Sequence, residues 1–246
     1  MTVRRLLRPL KPLHVAFQSR VRRRRIRKLV AQLTDAARTP ETIVPLVGRL
    51  RKAWGNDSYA ADLGFLDEMV QRTVQSRGPF LDCGSGISTV ILGALSVDKR
   101  DRVWSLEQDE QWYRATRDCL NDVGLTGVQL LHAPLTLCGD AAWYSFEHPA
   151  FPRHFPLIVC DGPAVRRSQW PEAVFQSWRV GVVAELRSRG VSFDTIILDD
   201  AQDKRCGALI EAWRNAGLRV ETVDTPGGSH VVAHNVRPSL PEDRTG

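Results

Sequence analysis

The side chains of this chain best placed for chemistry are acids, and they stand at the ends of short apolar runs. Phe80-Leu81 leads into Asp82, Val103 to Leu106 into Glu107, Leu157 to Cys160 into Asp161, and Thr195 to Leu198 into Asp199-Asp200. One such acid is ordinary, because aspartate is a common turn former. Four acidic ends in one chain point to a cationic ligand, a pair of hydroxyls or a metal. Asp82 is followed by Cys83-Gly84-Ser85-Gly86, a turn whose glycines let backbone approach a ligand closely.

Two nucleotide-sized ligands compete for that turn. A dinucleotide diphosphate wants G-x-G-x-x-G at a helix start, and here Thr89 stands where the third glycine belongs. Asp82, two residues before Gly84, would repel a diphosphate. It suits a cationic group such as the α-amino end of S-adenosylmethionine. Glu107 lies 23 residues beyond Gly84, the distance at which an acid accepts from ribose hydroxyls. Asp161 and the Asp199-Asp200 pair should end neighbouring strands about 4.8 Å apart. Either they converge on a hard cation such as Mg²⁺, which takes oxygen ligands, or they cap turns and helices. Both readings stay open. His230, beside Gly227-Gly228, is the candidate general base, and Asp161 and His230 are the candidate catalytic residues.

The elements that must position these groups follow from periodicity. The acid-ended runs read as parallel strands separated by helices, the continuous run 157–160 being that of a strand buried on both faces. Leu218 to Val223 and His230 to His234 bracket a Pro226-Gly227-Gly228 turn and predict a hairpin, so the last strand runs antiparallel. The expected fold is α/β, a doubly wound, seven-stranded, mostly parallel sheet. A single helix is expected from about Pro171 to Arg189. Upstream, a basic helix over 20–33 carries Val21, Leu29, Val30 and Leu33 as its apolar positions. Thr39-Pro40 opens a second helix with Ile43, Val47 and Leu50 on one face, and a third follows Asn56-Asp57-Ser58 with Leu63, Leu66, Val70 and Val74.

Phe80 through Thr89 resembles the first motif of the class I S-adenosylmethionine-dependent methyltransferases, and Ser105-Leu106-Glu107-Gln108-Asp109 is similar to their second-strand acidic motif. Residues 157–163 and 196–201 resemble the fourth- and fifth-strand motifs of the small bacterial O-methyltransferase-like branch. The resemblance spans roughly residues 54–235. It implies Asp82, Gly84, Ser85 and Gly86 around the methionine moiety, Glu107 on the ribose, and Gln108 and Ala133 near the adenine. Trp54-Gly55-Asn56 is similar to a segment that approaches the cofactor. Catechol O-methyltransferase and its relatives place metal ligands at the fourth and fifth strand ends, which would make Asp161, Asp199 and Asp200 ligands of Mg²⁺. The chain departs from that pattern with Asp200 where an asparagine is typical and with Ala164 three residues after Asp161, where the usual lysine base would stand. Amine methylation of nucleobases usually shows an aromatic after the fourth strand; Asp161-Gly162-Pro163-Ala164 has none, so an oxygen acceptor is expected. That acceptor would be a small hydroxylated or glycan-type molecule, with Trp143, Tyr144 and Trp170 lining its pocket or packing the core. The rival class is a non-catalytic nucleotide- or RNA-binding module that keeps the sheet; a nicotinamide-dependent oxidoreductase ranks third.

Charge divides the chain. Residues 1–30 hold eleven of its 34 Lys and Arg and no acid, leaving 23 cations against 28 acids over the remainder. The basicity therefore belongs to an arm, residues 1–33, suited to an anionic membrane surface or an acidic partner ahead of RNA. Residues 34–78 read as a helical lead-in, 79–237 as the cofactor-binding domain and 238–246 as a flexible tail. No run approaches the roughly 18 apolar residues of a membrane span. The five scattered cysteines fit neither a disulfide framework nor a zinc site, so a cytoplasmic protein is expected, or one peripheral at the membrane.

Overall fold

The computed structural model describes residues 20–36, 39–55, 60–96, 103–139, 141–165, 167–177 and 179–235. The first nineteen residues, Asn56-Asp57-Ser58 and the expected tail lie outside them. Three helices lead in: α1 (Arg20–Asp35), α2 (Pro40–Trp54) and α3 (Leu63–Gln75). Thr39 precedes α2 in extended conformation, Pro40 opens it, and Gly55 closes it at φ 59, the left-handed end that glycine adopts without strain. Asp62 caps α3 by accepting from the Gly64 N–H, so the cap falls four residues beyond Ser58.

The sheet then begins. β1 (Phe80–Cys83), α4 (Ile87–Leu95), β2 (Val103–Glu107), α5 (Glu110–Val123) and β3 (Val128–His132) form one half. The other half holds β6 (His154–Cys160), α6 (Glu172–Ser177), α7 (Val182–Ser188), β7 (Ser192–Leu198), α8 (Cys206–Asn215), β8 (Leu218–Thr225) and β9 (Gly228–Asn235). The strand order is β3-β2-β1-β6-β7-β9-β8, with β9 antiparallel to both neighbours. β1 and β6 lie side by side and parallel, and the order in which strands are laid down reverses between them, which sets a crevice beyond their carboxyl ends.

Two apolar layers enclose the sheet. α1 to α5 cover one face; α7, α8 and a small hairpin cover the other. That hairpin, β4 (Leu135–Cys138) with β5 (Ala141–Tyr144), was not expected. Its signal is a Gly139-Asp140 step between two apolar runs, with Gly139 at φ 60, the dipeptide a tight hairpin favours. Trp143 and Tyr144 on β5 are fully buried and pack the core.

The basic helix differs most from expectation. Its buried positions are Ile26, Leu29, Val30 and Leu33, while Val21 is 76% exposed. It packs on α2, α4 and α5. Arg22 Nε donates to the Ala53 carbonyl at 2.8 Å and Arg27 Nε to that of Asp122 at 2.8 Å. Burying four aliphatic side chains contributes about 1.5–3 kcal/mol each, so residues 20–35 belong to the folded body. Arg20, Arg24, Arg25 and Lys28 remain exposed on its outer face. No described helix is long and apolar enough to cross a membrane, and all five cysteines are free thiols.

Candidate functional site: a glycine turn among strand-end acids

Strand alternation decides which face each acid joins. In β1, Leu81 and Cys83 point to the α7–α8 side, so Phe80 and Asp82 point to the α4 side; in β2, Val103, Ser105 and Glu107 do the same. Asp82 therefore lies under the first turn of α4. Its Oδ2 accepts from Thr89 Oγ1 at 2.5 Å, Ser88 Oγ at 3.2 Å and Ser105 Oγ at 3.3 Å. Its Oδ1 is buried without a hydrogen-bond partner. Burial raises the carboxyl from 3.8 to about 7, against the opposing pull of the three hydroxyls.

The turn after Asp82 is held from two sides. Gly84 sits at φ 102, and a Cβ there would come within 2.6 Å of the Gly162 nitrogen. The Gly162 N–H in turn donates to the Cys83 carbonyl at 2.6 Å, so the β1 and β6 turns touch backbone to backbone. A Cβ on Gly162 would collide with the Tyr144 hydroxyl. Trp112 of α5 covers the turn, its indole N–H donating to the Ser85 carbonyl. Neither Tyr144 nor Trp112 was foreseen in this role, because each touches the turn only through a separate element.

Glu107 stands beside the turn. Its Oε2 accepts from Ser85 N–H at 3.1 Å and Ser85 Oγ at 2.7 Å, and Oε1 from Asp109 N–H at 2.8 Å. A carboxylate has about four acceptor sites, so roughly one is open, and rotation of the Ser85 hydroxyl frees another. Burial lifts this carboxyl as well, to about 7. Gln108 follows, with Oε1 buried and unpartnered. Ala133 is buried, its N–H donating to the Glu107 carbonyl at 2.7 Å. Next to them opens a cavity of about 310 Å³ lined by Gln108, Asp109, Leu135, Ala164, Gln169 and Trp170, within the range of small-molecule sites.

The expected metal ligands are arranged differently. Asp199 Oδ2 accepts from the Asp62 N–H at 3.1 Å and Oδ1 from the Asp200 N–H at 2.8 Å; its oxygens cap backbone. Asp200 adopts φ 64. Between the ends of β6 and β7 lies the guanidinium of Arg179, 3.7 Å from Asp161 Oδ1 and 3.4 Å from Asp200 Oδ2. Among the described residues no group of three or more His, Cys, Asp or Glu side chains could hold a metal ion. These residues do not fit Mg²⁺. Nothing in the sequence marks Arg179, which falls inside the expected 171–189 helix. The structure breaks that helix into α6 and α7 and sets Arg179 in the break.

His230 also departs from expectation. It is buried, packs its ring 6.1 Å from that of Phe65, and is held below the usual histidine range by burial, with Glu68, Asp62 and Arg72 as the charges around it. Those belong to α3 and its cap. Among the described residues no hydrogen bond or ion pair joins His230 to Asp161, and the His230 Nε2 is buried without a hydrogen-bond partner. His132 lies exposed with its ring 5.5 Å from that of Tyr113, and His234 bonds Thr195 Oγ1 at 3.1 Å.

No protein-family model matches this chain, and no curated protein does. Solved structures share its fold. The S-adenosylhomocysteine-bound methyltransferase PaMTH1 of Podospora anserina aligns over 79% of this chain and 86% of its own, at TM-score 0.51 and 13% identity. The O-methyltransferase from Bacillus cereus in complex with S-adenosylhomocysteine covers 78% of this chain and 90% of its own, at TM-score 0.52 and 13% identity. The METTL16 methyltransferase domain covers 81% and 82%, at TM-score 0.52 and 11% identity. The chain has the class I methyltransferase fold, with the seven-stranded sheet and antiparallel last strand expected from sequence.

Proposed function

We propose that the chain is an S-adenosylmethionine-dependent methyltransferase acting on an oxygen of a small hydroxylated acceptor. The observation that carries this reading is the pair of buried, unpartnered oxygens, Asp82 Oδ1 and Gln108 Oε1, flanking a Gly84–Gly86 turn at the reversal point of a methyltransferase sheet. Buried polar atoms normally have partners, and these two suit the ammonium and the adenine amino group at opposite ends of one cofactor. Bound there, S-adenosylmethionine supplies a sulfonium methyl that an oxygen nucleophile displaces in line. The protein's part is then to hold and align. Asp82 and the turn backbone hold the amino-acid end, Glu107 accepts from the ribose, and Gln108 and Ala133 border the base. Asp161, at the end of β6 beside Gly84 and a quarter exposed, is the group in position to take the acceptor's hydroxyl proton. The cavity lining of Leu135, Ala164, Gln169 and Trp170, with Asp109 as its one acid, suits a hydroxyl-bearing acceptor without negative charge that offers one aromatic or sugar face. The exposed cations of α1 stand apart from this chemistry as the surface for an anionic partner.

The test is calorimetric titration of S-adenosylhomocysteine. A micromolar Kd, about −8 kcal/mol, is expected, weakened at least tenfold by Asp82→Asn or Glu107→Gln. Absence of binding by the folded protein refutes the reading. It would favour the second one, a non-catalytic module retaining the sheet, for which the observation is that Ser85 already fills much of Glu107's accepting capacity.

A further inference from the structure

We infer that Arg179 is a built-in cation standing where a divalent metal would otherwise bridge the ends of β6 and β7, and that the site works without one. The guanidinium touches both strand ends twice. Its Nη1 donates to the Asp199 carbonyl at 3.1 Å and its Nη2 to the Asp161 carbonyl. The same Nη2 lies 3.7 Å from the Asp161 carboxylate and 3.4 Å from that of Asp200. Only 5% of the side chain is exposed. Guanidinium is planar, carries its charge at every accessible pH and offers donors in a fixed fork. It can therefore satisfy two backbone carbonyls and two carboxylates at once.

A divalent ion cannot share the place. Mg²⁺ demands oxygens at about 2.0–2.1 Å in near-octahedral array, whereas with Arg179 in place the Asp161 and Asp200 carboxylates face its guanidinium and each Asp199 oxygen accepts one backbone N–H. A dication would also meet the fixed positive charge of Arg179 across a few ångströms of poorly solvated protein, where repulsion is strong. Two of the three acids are thus committed to an internal cation and the third to backbone. Arg179 acts as a positioning residue: it fixes the Asp161 carboxylate at the rim of the turn and keeps the two strand ends in register. The break between α6 and α7 supplies the geometry, since a continuous helix over 172–188 would not have placed residue 179 in this cluster.

The inference rests on the arrangement of the strand ends, and its role for Asp161 rests on the proposed methyl transfer. The experiment separates them by measuring thermal unfolding with and without MnCl₂ for the full chain, Arg179→Met and Arg179→Lys, alongside titration of S-adenosylhomocysteine in EDTA. The wild type and Arg179→Lys should show no Mn²⁺-dependent shift, and EDTA should not change cofactor-product binding. Arg179→Met keeps the side-chain bulk but leaves the carboxylates without their cation. It should gain a rise in Tm of about 3–5 °C at Mn²⁺ some tenfold above its Kd. A Mn²⁺ shift in the wild type overturns the inference, as does a folded Arg179→Met that ignores the metal. If Arg179→Met does not fold, wild type and Arg179→Lys decide: a shift in either overturns the inference, and none in both upholds it. Failure of S-adenosylhomocysteine to bind would sink the transferase reading while leaving the Mn²⁺ result intact.

Discussion

Replacing Asp82 by asparagine should make the free protein's stability less dependent on pH. In the fold, burial under α4 holds the Asp82 carboxyl near 7, against 3.8 for an ordinary aspartate. Between those values the folded chain holds more proton than the unfolded chain, so stability is fully present below about pH 3.8 and is lost as pH rises through 7. A shift of about three units corresponds to about 4 kcal/mol lost by pH 8, of which about 2 kcal/mol is already lost at pH 5. Asparagine keeps the shape, offers its carbonyl to the Thr89, Ser88 and Ser105 hydroxyls, and has no charge to desolvate. It places an amide N–H₂ at the orphaned Oδ1 position, a cost of about 1–3 kcal/mol that does not vary with pH. The absolute Tm can therefore move either way, but the pH slope can move in one direction only. The Tm of Asp82→Asn minus that of the wild type should grow by about 5–10 °C from pH 5 to pH 8, at 2–4 °C per kcal/mol for a chain of this size. Circular dichroism melts at half-unit pH steps measure this directly. Parallel curves for the two proteins would refute the claim that burial beneath the turn opposes ionisation of this carboxyl more than its three hydroxyl donors favour it.

Gly84→Ala should cost about 2–4 kcal/mol, because it combines a positive φ with a Cβ pressed against the backbone of Gly162; a urea midpoint within error of wild type would contradict the contact. Leu29→Ala should destabilise by about 2–5 kcal/mol, and removing residues 1–35 should prevent folding, whereas a detachable arm would leave the urea curve unchanged. His230→Gln should lower Tm while leaving S-adenosylhomocysteine affinity within about twofold, since the ring packs against Phe65 and does not line the cavity; a large loss of affinity would restore it to the site.

Local signals carry part of this protein and long-range ones the rest. The strand ends were legible because a doubly buried parallel strand is a continuous apolar run, and the acids at 82, 107, 161 and 199 interrupt those runs abruptly. The glycine turn was legible because Gly84 must take a conformation that side chains resist. The last hairpin showed itself through Gly227-Gly228. Other features left no such local trace. The basic helix looks like part of an arm in sequence because the eleven cations of residues 1–30 outweigh the 26, 29, 30, 33 stripe, and only docking on α4 and α5 shows that Ile26 faces inward while Val21 does not. Asp161, Asp199 and Asp200 looked like a metal set because sequence shows which acids end neighbouring strands but not what lies between them. Sequence by itself determined the alternation of strands and helices, the acids at the strand tips and the glycine turn, all dictated by burial and backbone sterics within a few residues. Only the tertiary structure decided that His230 packs under α3, that Asp199 caps backbone and that Arg179 sits between the acids. Those outcomes depend on where a helix breaks and on which groups, 18 to 21 residues apart in the case of Arg179, satisfy one another's charge away from water.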